Sequence, residues 1–496
     1  MQYQNPIIRG FNPDPSICRV GNDFYLVTSS FEFFPGIPVY HSTDLVNWRQ
    51  IGNCIERPSQ LPFETAKAGE GIWAPTIRYH LGLFYVTSTF KGYGNFIIHS
   101  ADPATGWSDP VKVNMTGIDP SILFDGDKAY YCTNQRGADD REAISLAEID
   151  PDTGEMLSGA RMIWHGMSND RPQYLEAPHI YHIGNWYYLR AAEGGTGFSH
   201  MITAARSRGI WGPYASCEKP LLTNRYTKGT GVACSGHGDL FEDGHGNWWI
   251  VHLATRPDDL WYSHIGRETF LLPVTWEHDW PVIDDGVSHI ASEGPLWAEQ
   301  KPLEPWQADF SCRQNEWLLV RKPIWENYEF LGDQLLLIPS TDQLSSPLGQ
   351  PTFLGMRQMD IECTVETEIS FDPAADGSEA GLVIYIADYG YYAFGIKREQ
   401  GKKWIIVYRQ DSSFVPVQIP AENGPIRLKI KASKQEYTLS CACSRQSFQR
   451  ISTVPVLTKA DAGKGFTGTL IGLYALCSAS EKSKAAILSF TMKQGT

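Results

Sequence analysis

The sequence predicts an all-β protein, a five-bladed β-propeller followed by a β-sandwich, and two observations carry that prediction. The first is a hairpin phrase that occurs five times. Asp14-Pro15-Ser16-Ile17, Ala74-Pro75-Thr76-Ile77, Asp119-Pro120-Ser121-Ile122, Ala177-Pro178-His179-Ile180 and His237-Gly238-Asp239-Leu240 each lead into a strand, a turn and a second strand. The lead residues lie 45 to 60 positions apart, a period that suits a radial array of small antiparallel sheets. The second observation is a run of about ten alternating strands, from WLLV near Trp317 to AAILSFTMK, which reads as a sandwich. Residues 1–300 are therefore assigned to the propeller, 301–314 to a proline-rich linker and 315–496 to the sandwich.

If each phrase opens the innermost strand of a blade, the five lead residues face one another around the central channel. Prolines on both sides of Asp14 fix the backbone at that strand entrance. The channel then gathers Asp14, Asp119, Glu176 (immediately before Ala177) and His237. Three carboxylates and one histidine converge.

At 496 residues the chain is long enough for two domains, and its formal charge of -14 argues against nucleic acid or an acidic membrane surface as partner. Aromatic residues make up 12%, including 16 Trp and 23 Tyr, enough to supply both blade cores and flat platforms for sugar rings. The opening MQYQNPIIRGF has no basic or apolar leader, and no segment reaches bilayer-spanning length, so a soluble cytoplasmic protein is expected. Ten cysteines without CxxC pairs, among them Cys18, Cys132 and Cys363 in strands, read as reduced core thiols. Cys441 and Cys443 share a strand face and read the same way, not as a metal pair.

Trp48, Trp107 and Trp211 recur at the ends of blade strands and are expected to pack between blades. Phe31 and Trp73 stand outside that repeat, beside the channel mouth, and are expected to stack on sugar. Arg267, in GRETFLLPVTWE, either balances the converging carboxylates or binds substrate hydroxyls. Glu32 and Glu193 follow strands and read as hydrogen-bonding loop residues.

Carboxylates forced together cannot all ionise normally, so at least one remains an acid near neutrality while another acts as a base. Glycoside hydrolysis needs that pair. No GxSxG elbow, HExxH, phosphate loop or Rossmann fingerprint offers another chemistry.

The ordered motifs NPDPS, IWAP, the second DPS, EAPHIY, AEGGT, GHGD and GRETFLLPVTWE resemble glycoside hydrolase family 43. The likeness is to its β-xylosidases and α-L-arabinofuranosidases with a C-terminal sandwich. The resemblance implies Asp14 as general base, Glu176 as general acid, and Asp119 as the residue that orients Glu176 and raises its pKa. It also implies Arg267 in the substrate pocket, no cofactor for the chemistry, and a calcium or sodium ion held beside His237 mostly through water. The implied activity is inverting exo-hydrolysis releasing terminal α-L-arabinofuranosyl or β-D-xylosyl groups from (arabino)xylan-derived oligosaccharides. Ala177, where strong xylosidases tend to carry glycine, leans toward arabinose. The competing readings are a non-catalytic sugar-binding propeller and a retaining fructan-type hydrolase. Pentose-containing oligosaccharides are the expected partners, and a homo-oligomer is compatible with the sequence.

Overall fold

A computed structural model describes residues 1–496 apart from 139, 169–172, 258–261, 412–415, 444–445, 480–482 and 496. Five four-stranded antiparallel sheets fill the first part of the chain. Their first strands are Ser16–Val20, Ile72–His80, Ser121–Asp125, Glu176–Ile183 and Ala233–Glu242, so each repeated phrase opens one sheet. These strands touch in cyclic order, the fifth against the first, which makes a closed ring around an axis. The ring is sealed where Gln2–Gln4 pairs with Ala291–Glu293 and Ile8 bridges Thr269 of the fifth sheet.

The repeat is visible in the backbone as well as in the letters. Asp14, Ala74, Asp119, Ala177 and His237 all adopt left-handed conformations, with φ of 56°, 41°, 53°, 52° and 42°. A non-glycine residue there costs on the order of 1–3 kcal/mol, so five at equivalent positions mark a constraint that the ring imposes. Four precede proline, whose ring disfavours the right-handed helical region for the residue before it. In the second, fourth and fifth sheets the strand register shifts at the lead residue, a bulge that re-aims a side chain toward the axis.

The tryptophans behave as blade cement. Trp107 is buried, its indole N–H 3.3 Å from the Pro103 carbonyl. Trp48 and Trp211 pack against the apolar clusters of their neighbouring sheets. Cys18, Cys132 and Cys363 are buried free thiols.

The second part of the chain is two stacked antiparallel sheets of eight and six strands. Cys363–Ser370 and Ile426–Ala432 alternate buried with less buried residues, as strands with one wet face do. Glu379–Ala387 and Leu470–Leu476 are buried throughout, because one face meets the opposing sheet and the other meets the propeller. Phe11, Phe31 and Phe33 of the propeller share a core with Phe353, Val383, Tyr385, Leu470 and Tyr474 of the sandwich. Within the stretch expected to be a linker, Trp306–Gln307 pairs with Met492 and Thr491. Leu319–Val320 in turn pairs with Phe33–Phe34 of the propeller.

Buried arginines rivet the two units together. Arg321 is fully buried; its Nε donates to the Ala66 carbonyl at 2.7 Å, one terminal nitrogen to the Gly349 carbonyl at 3.1 Å, and Asp388 lies 3.5 Å away. Arg256 bridges Glu268 at 2.7 Å and Asp360 at 2.9 Å. The only helical elements among the described residues are two short 3₁₀ turns, and no helix is long and apolar enough to cross a membrane.

Removing Arg321 would strand Asp388 and two carbonyls in the interior. Arg321→Met is expected to lower stability by about 3–5 kcal/mol, read as a fall in the urea midpoint. Arg321→Lys should recover little, because an ammonium cannot reproduce the fork. An unchanged midpoint in both would contradict the riveting role.

Candidate active site

A cavity of about 490 Å³ opens at the mouth of the propeller channel. Asp14, Phe31, Trp73, Asp119, Glu176, His237 and Arg267, all expected from sequence, line it together. Their convergence follows from the left-handed strand entrances, which turn consecutive lead residues toward one axis.

Asp14 is the most tightly held. One carboxyl oxygen accepts the Ser29 hydroxyl at 2.6 Å, and Ser29 in turn accepts the Ala74 backbone N–H at 2.7 Å, so the second lead residue pins the partner of the first. The other oxygen accepts an Arg267 N–H at 3.1 Å and lies 3.6 Å from His237 Nδ1. Burial alone would raise the Asp14 pKa; the Arg267 charge and the Ser29 hydrogen bond outweigh it, and the carboxyl stays below its ordinary range.

Glu176 has the opposite environment. Burial, reinforced by the Glu142 and Asp14 charges and only partly offset by Arg267, pushes its carboxyl up to about 7. Asp119 is raised well above the usual range by burial, Glu176 and Asp14, against Arg267 and the Ala177 backbone N–H. The two carboxyls titrate as a pair that retains a proton into the neutral range.

The segment entering Glu176 is fastened from two sides. Glu142 accepts the Leu175 backbone N–H at 2.9 Å and an Arg136 N–H at 2.5 Å. Glu193, fully buried, accepts the N–H groups of Met167 and Ser168, both at 2.8 Å, and the Thr203 hydroxyl at 2.7 Å. Glu32 accepts the Gly69 N–H at 3.0 Å. Both Glu193 and Glu32 are the hydrogen-bonding residues that their sequence context suggests.

Phe31 differs from its expectation in emphasis. It is 3% exposed and packs between Phe11 and Phe466, with ring centroids 5.7 and 6.0 Å away, so its first role is core. Trp73 is half-buried, with the Lys91 ammonium 5.6 Å from its ring centroid. Arg267 is clamped: its guanidinium lies 5.7 Å from the ring centroids of both Phe31 and Phe466 and donates to the Phe466 carbonyl at 3.2 Å.

Phe466, Lys459 and Lys464 belong to the sandwich, so the second unit supplies one wall of the cavity. Sequence reasoning missed them, together with Glu142 and His200. The signal available was the glycine-spaced stretch KADAGKGFTG between two sandwich strands, whose destination no local pattern reveals. His200 is buried, with Nδ1 3.0 Å from the Cys234 carbonyl. Burial pushes both His200 and His237 down to about 3, so both are neutral imidazoles.

A cation in the channel would find few protein ligands. No three His, Cys, Asp or Glu side chains among the described residues are grouped as ligands. Asp14, nearest to His237, is already engaged by Arg267 and Ser29. The Arg190 guanidinium, 3% exposed with its three nitrogens lacking protein partners, adds positive charge that His237 feels. One neutral imidazole in that setting fits a calcium or sodium ion only where water supplies most of the ligands.

A propeller that gathers one carboxyl held below its ordinary pKa and a proton-retaining pair in a single cavity has the construction of a glycosidase. Residues 3–281 match the glycosyl hydrolases family 43, and residues 310–493 match the β-xylosidase C-terminal concanavalin A-like domain, so the chain belongs to glycosyl hydrolase family 43. A non-reducing end α-L-arabinofuranosidase of Bacteroides ovatus is 38% identical over 95% of this chain and 91% of its own length. A xylosidase/arabinosidase of Butyrivibrio fibrisolvens is 33% identical over 95% of each. A solved Bacteroides ovatus structure, titled as GH43B of a xyloglucan PUL, superposes with a TM-score of 0.93 at 35% identity, covering 99% of this chain and 100% of that one.

Glu142→Gln keeps an acceptor for the Leu175 N–H and removes the charge together with the acceptor of Arg136. Losing a negative neighbour lowers the Glu176 pKa, so the alkaline limb of the kcat/KM profile is expected to move to lower pH while the acid limb, set by Asp14, stays. An unmoved alkaline limb would show that Glu142 does not act on Glu176.

Proposed function

We propose that the chain removes single pentose units from the non-reducing ends of short oligosaccharides, with inversion at the anomeric carbon. The observation that carries this reading is the unequal acidity of two carboxyls in one cavity: Asp14 is held ionised by Arg267 and Ser29, and Glu176 keeps its proton to about pH 7. Asp14 takes a proton from the water that attacks the anomeric carbon. Glu176 gives its proton to the departing glycosidic oxygen. Asp119 orients Glu176 and shares in retaining that proton. After product leaves, the proton gained by Asp14 and that lost by Glu176 are exchanged with solvent.

Arg267 does two things in this scheme. It neutralises Asp14 in the resting site, and its clamped guanidinium presents a fixed edge to substrate hydroxyls. The wall built by Phe466, Lys464 and Phe31 closes one side of the cavity, which favours chain ends over internal bonds. A hydrated ion on His237 would neutralise and order the channel, and no proton transfer above requires it.

The pentose assignment rests on the relatives, named for arabinofuranosyl and xylosyl hydrolysis. Both sugars are neutral five-carbon rings, and one misplaced contact is worth only about 1–3 kcal/mol, so activity on both is expected. Ala177 places α-L-arabinofuranosides ahead.

Proton NMR of the first-formed sugar should show the inverted anomer. Early appearance of the retained anomer would end the proposal. Asp14→Asn is expected to lower kcat by about 10²–10⁴-fold on every substrate. Glu176→Gln should spare activated aryl glycosides relative to natural oligosaccharides, since only poor leaving groups need the proton; equal losses on both would remove Glu176 from the acid role. Internal fragments released from linear xylan or arabinan would overturn the exo assignment.

A further inference from the structure

A second cavity, about 470 Å³, lies in the seam between the propeller, residues 300–306 and the sandwich. It is nearly as large as the catalytic cavity and shares no lining residue with it. The geometry points to this seam cavity as a second carbohydrate site, which takes a mono- or disaccharide bearing a carboxylate and holds that carboxylate on Arg357.

Arg357 is the reason. It lines the cavity yet is only 5% exposed. Its Nε donates to the Phe11 carbonyl at 2.7 Å, while one terminal nitrogen is buried without a protein partner. Among the described residues no carboxylate makes an ion pair with it, although Arg9 in the same wall is paired with Asp360 at 2.5 Å. A buried charge without a direct ion pair is costly, and burial pushes the Arg357 pKa down against the more distant influence of Tyr40 and Glu316. A ligand carboxylate reaching the guanidinium from the cavity would supply the ion pair that it lacks.

The remaining walls suit a sugar rather than a bare anion. Tyr40, Trp48 and Trp306 supply ring surface, and exposed Lys301 and Arg49 stand at the cavity with the positive sign that would attract an acidic ligand. Glu304 and Glu316 also line the cavity, against the four cationic side chains Arg9, Arg49, Lys301 and Arg357; burial raises Glu316 above its ordinary range, opposed by a Trp306 hydrogen bond and the Arg357 charge. Pockets of this volume commonly hold small organic ligands. The occupant would also touch the segment that leads to Asp14: Arg9 and Asn12 line the cavity, and the Tyr40 hydroxyl donates to Asn12 at 2.7 Å.

The test is calorimetric titration of the full chain with D-glucuronate, with D-glucose as the neutral arm and saturating L-arabinose to fill the catalytic cavity. One glucuronate is expected per chain, undisturbed by arabinose. Glucose should bind at least about tenfold more weakly, and Arg357→Gln should weaken glucuronate by a similar factor. Should Arg357→Gln not fold, Lys301→Glu, exposed at the rim, must weaken glucuronate in its place. Absent binding, displacement by arabinose, equal affinity for glucose, or undiminished binding in the folded variants would each overturn the assignment. None of these outcomes bears on hydrolysis at the catalytic cavity, whose walls are separate.

Discussion

A single guanidinium set among buried carboxyls governs this structure. Arg267 lies close enough to Asp14 to bond it at 3.1 Å, and its charge also tempers the shifts of Glu176 and Asp119. One positive charge cannot neutralise three acids. The arrangement therefore separates them into an ionised group, which has the arginine and a serine, and a pair that keeps a proton because burial leaves it no alternative. The strand entrances exist to hold this imbalance. Left-handed φ at five lead residues is locally unfavourable, and it persists because a closed ring of sheets leaves each entrance only one way to turn.

The sandwich is part of the same constraint. Arg267 is clamped between an aromatic ring of the propeller and one of the sandwich, so its aim depends on both units. Its backbone acceptor at Phe466 also comes from the sandwich. That dependence explains why Glu379–Ala387 and Leu470–Leu476 are buried on both faces and why fully buried Arg321 spans the seam. A loosely tethered second domain would let the Phe466 wall drift, opening the cavity and admitting water around the one cation that fixes Asp14.

Much of this was legible in the letters. The five phrases announced themselves because Asp-Pro-Ser and Ala-Pro repeat with the spacing of a ring, and the convergence of Asp14, Asp119 and Glu176 followed from topology alone. Other features were hidden for physical reasons. Phe31 looked like an isolated aromatic because its core partners, Phe11 and Phe466, lie in other segments of the chain, one of them in the other domain. Lys459 and Phe466 sit in a glycine-spaced turn whose local pattern says only that it is a turn. Glu142 begins an ordinary strand, and its contact with the residue before Glu176 is made across 33 positions. Trp306 and Gln307, in a proline-rich stretch that reads as connector, form an edge strand because the partner strand near Met492 has an unpaired side there. Pairing decided by a distant edge leaves no trace in local alternation.

Asp14 and Glu176 carry different protonation states in one cavity, and carbon NMR of carboxyl-labelled protein reads both. The expected spectrum has a carboxyl that titrates near pH 7 and leaves the titrating set in Glu176→Gln, with Asp14 losing its charge only below the ordinary aspartate range. A Glu176 carboxyl that loses its proton at the pKa of a free side chain, with no group titrating near neutrality, would contradict it.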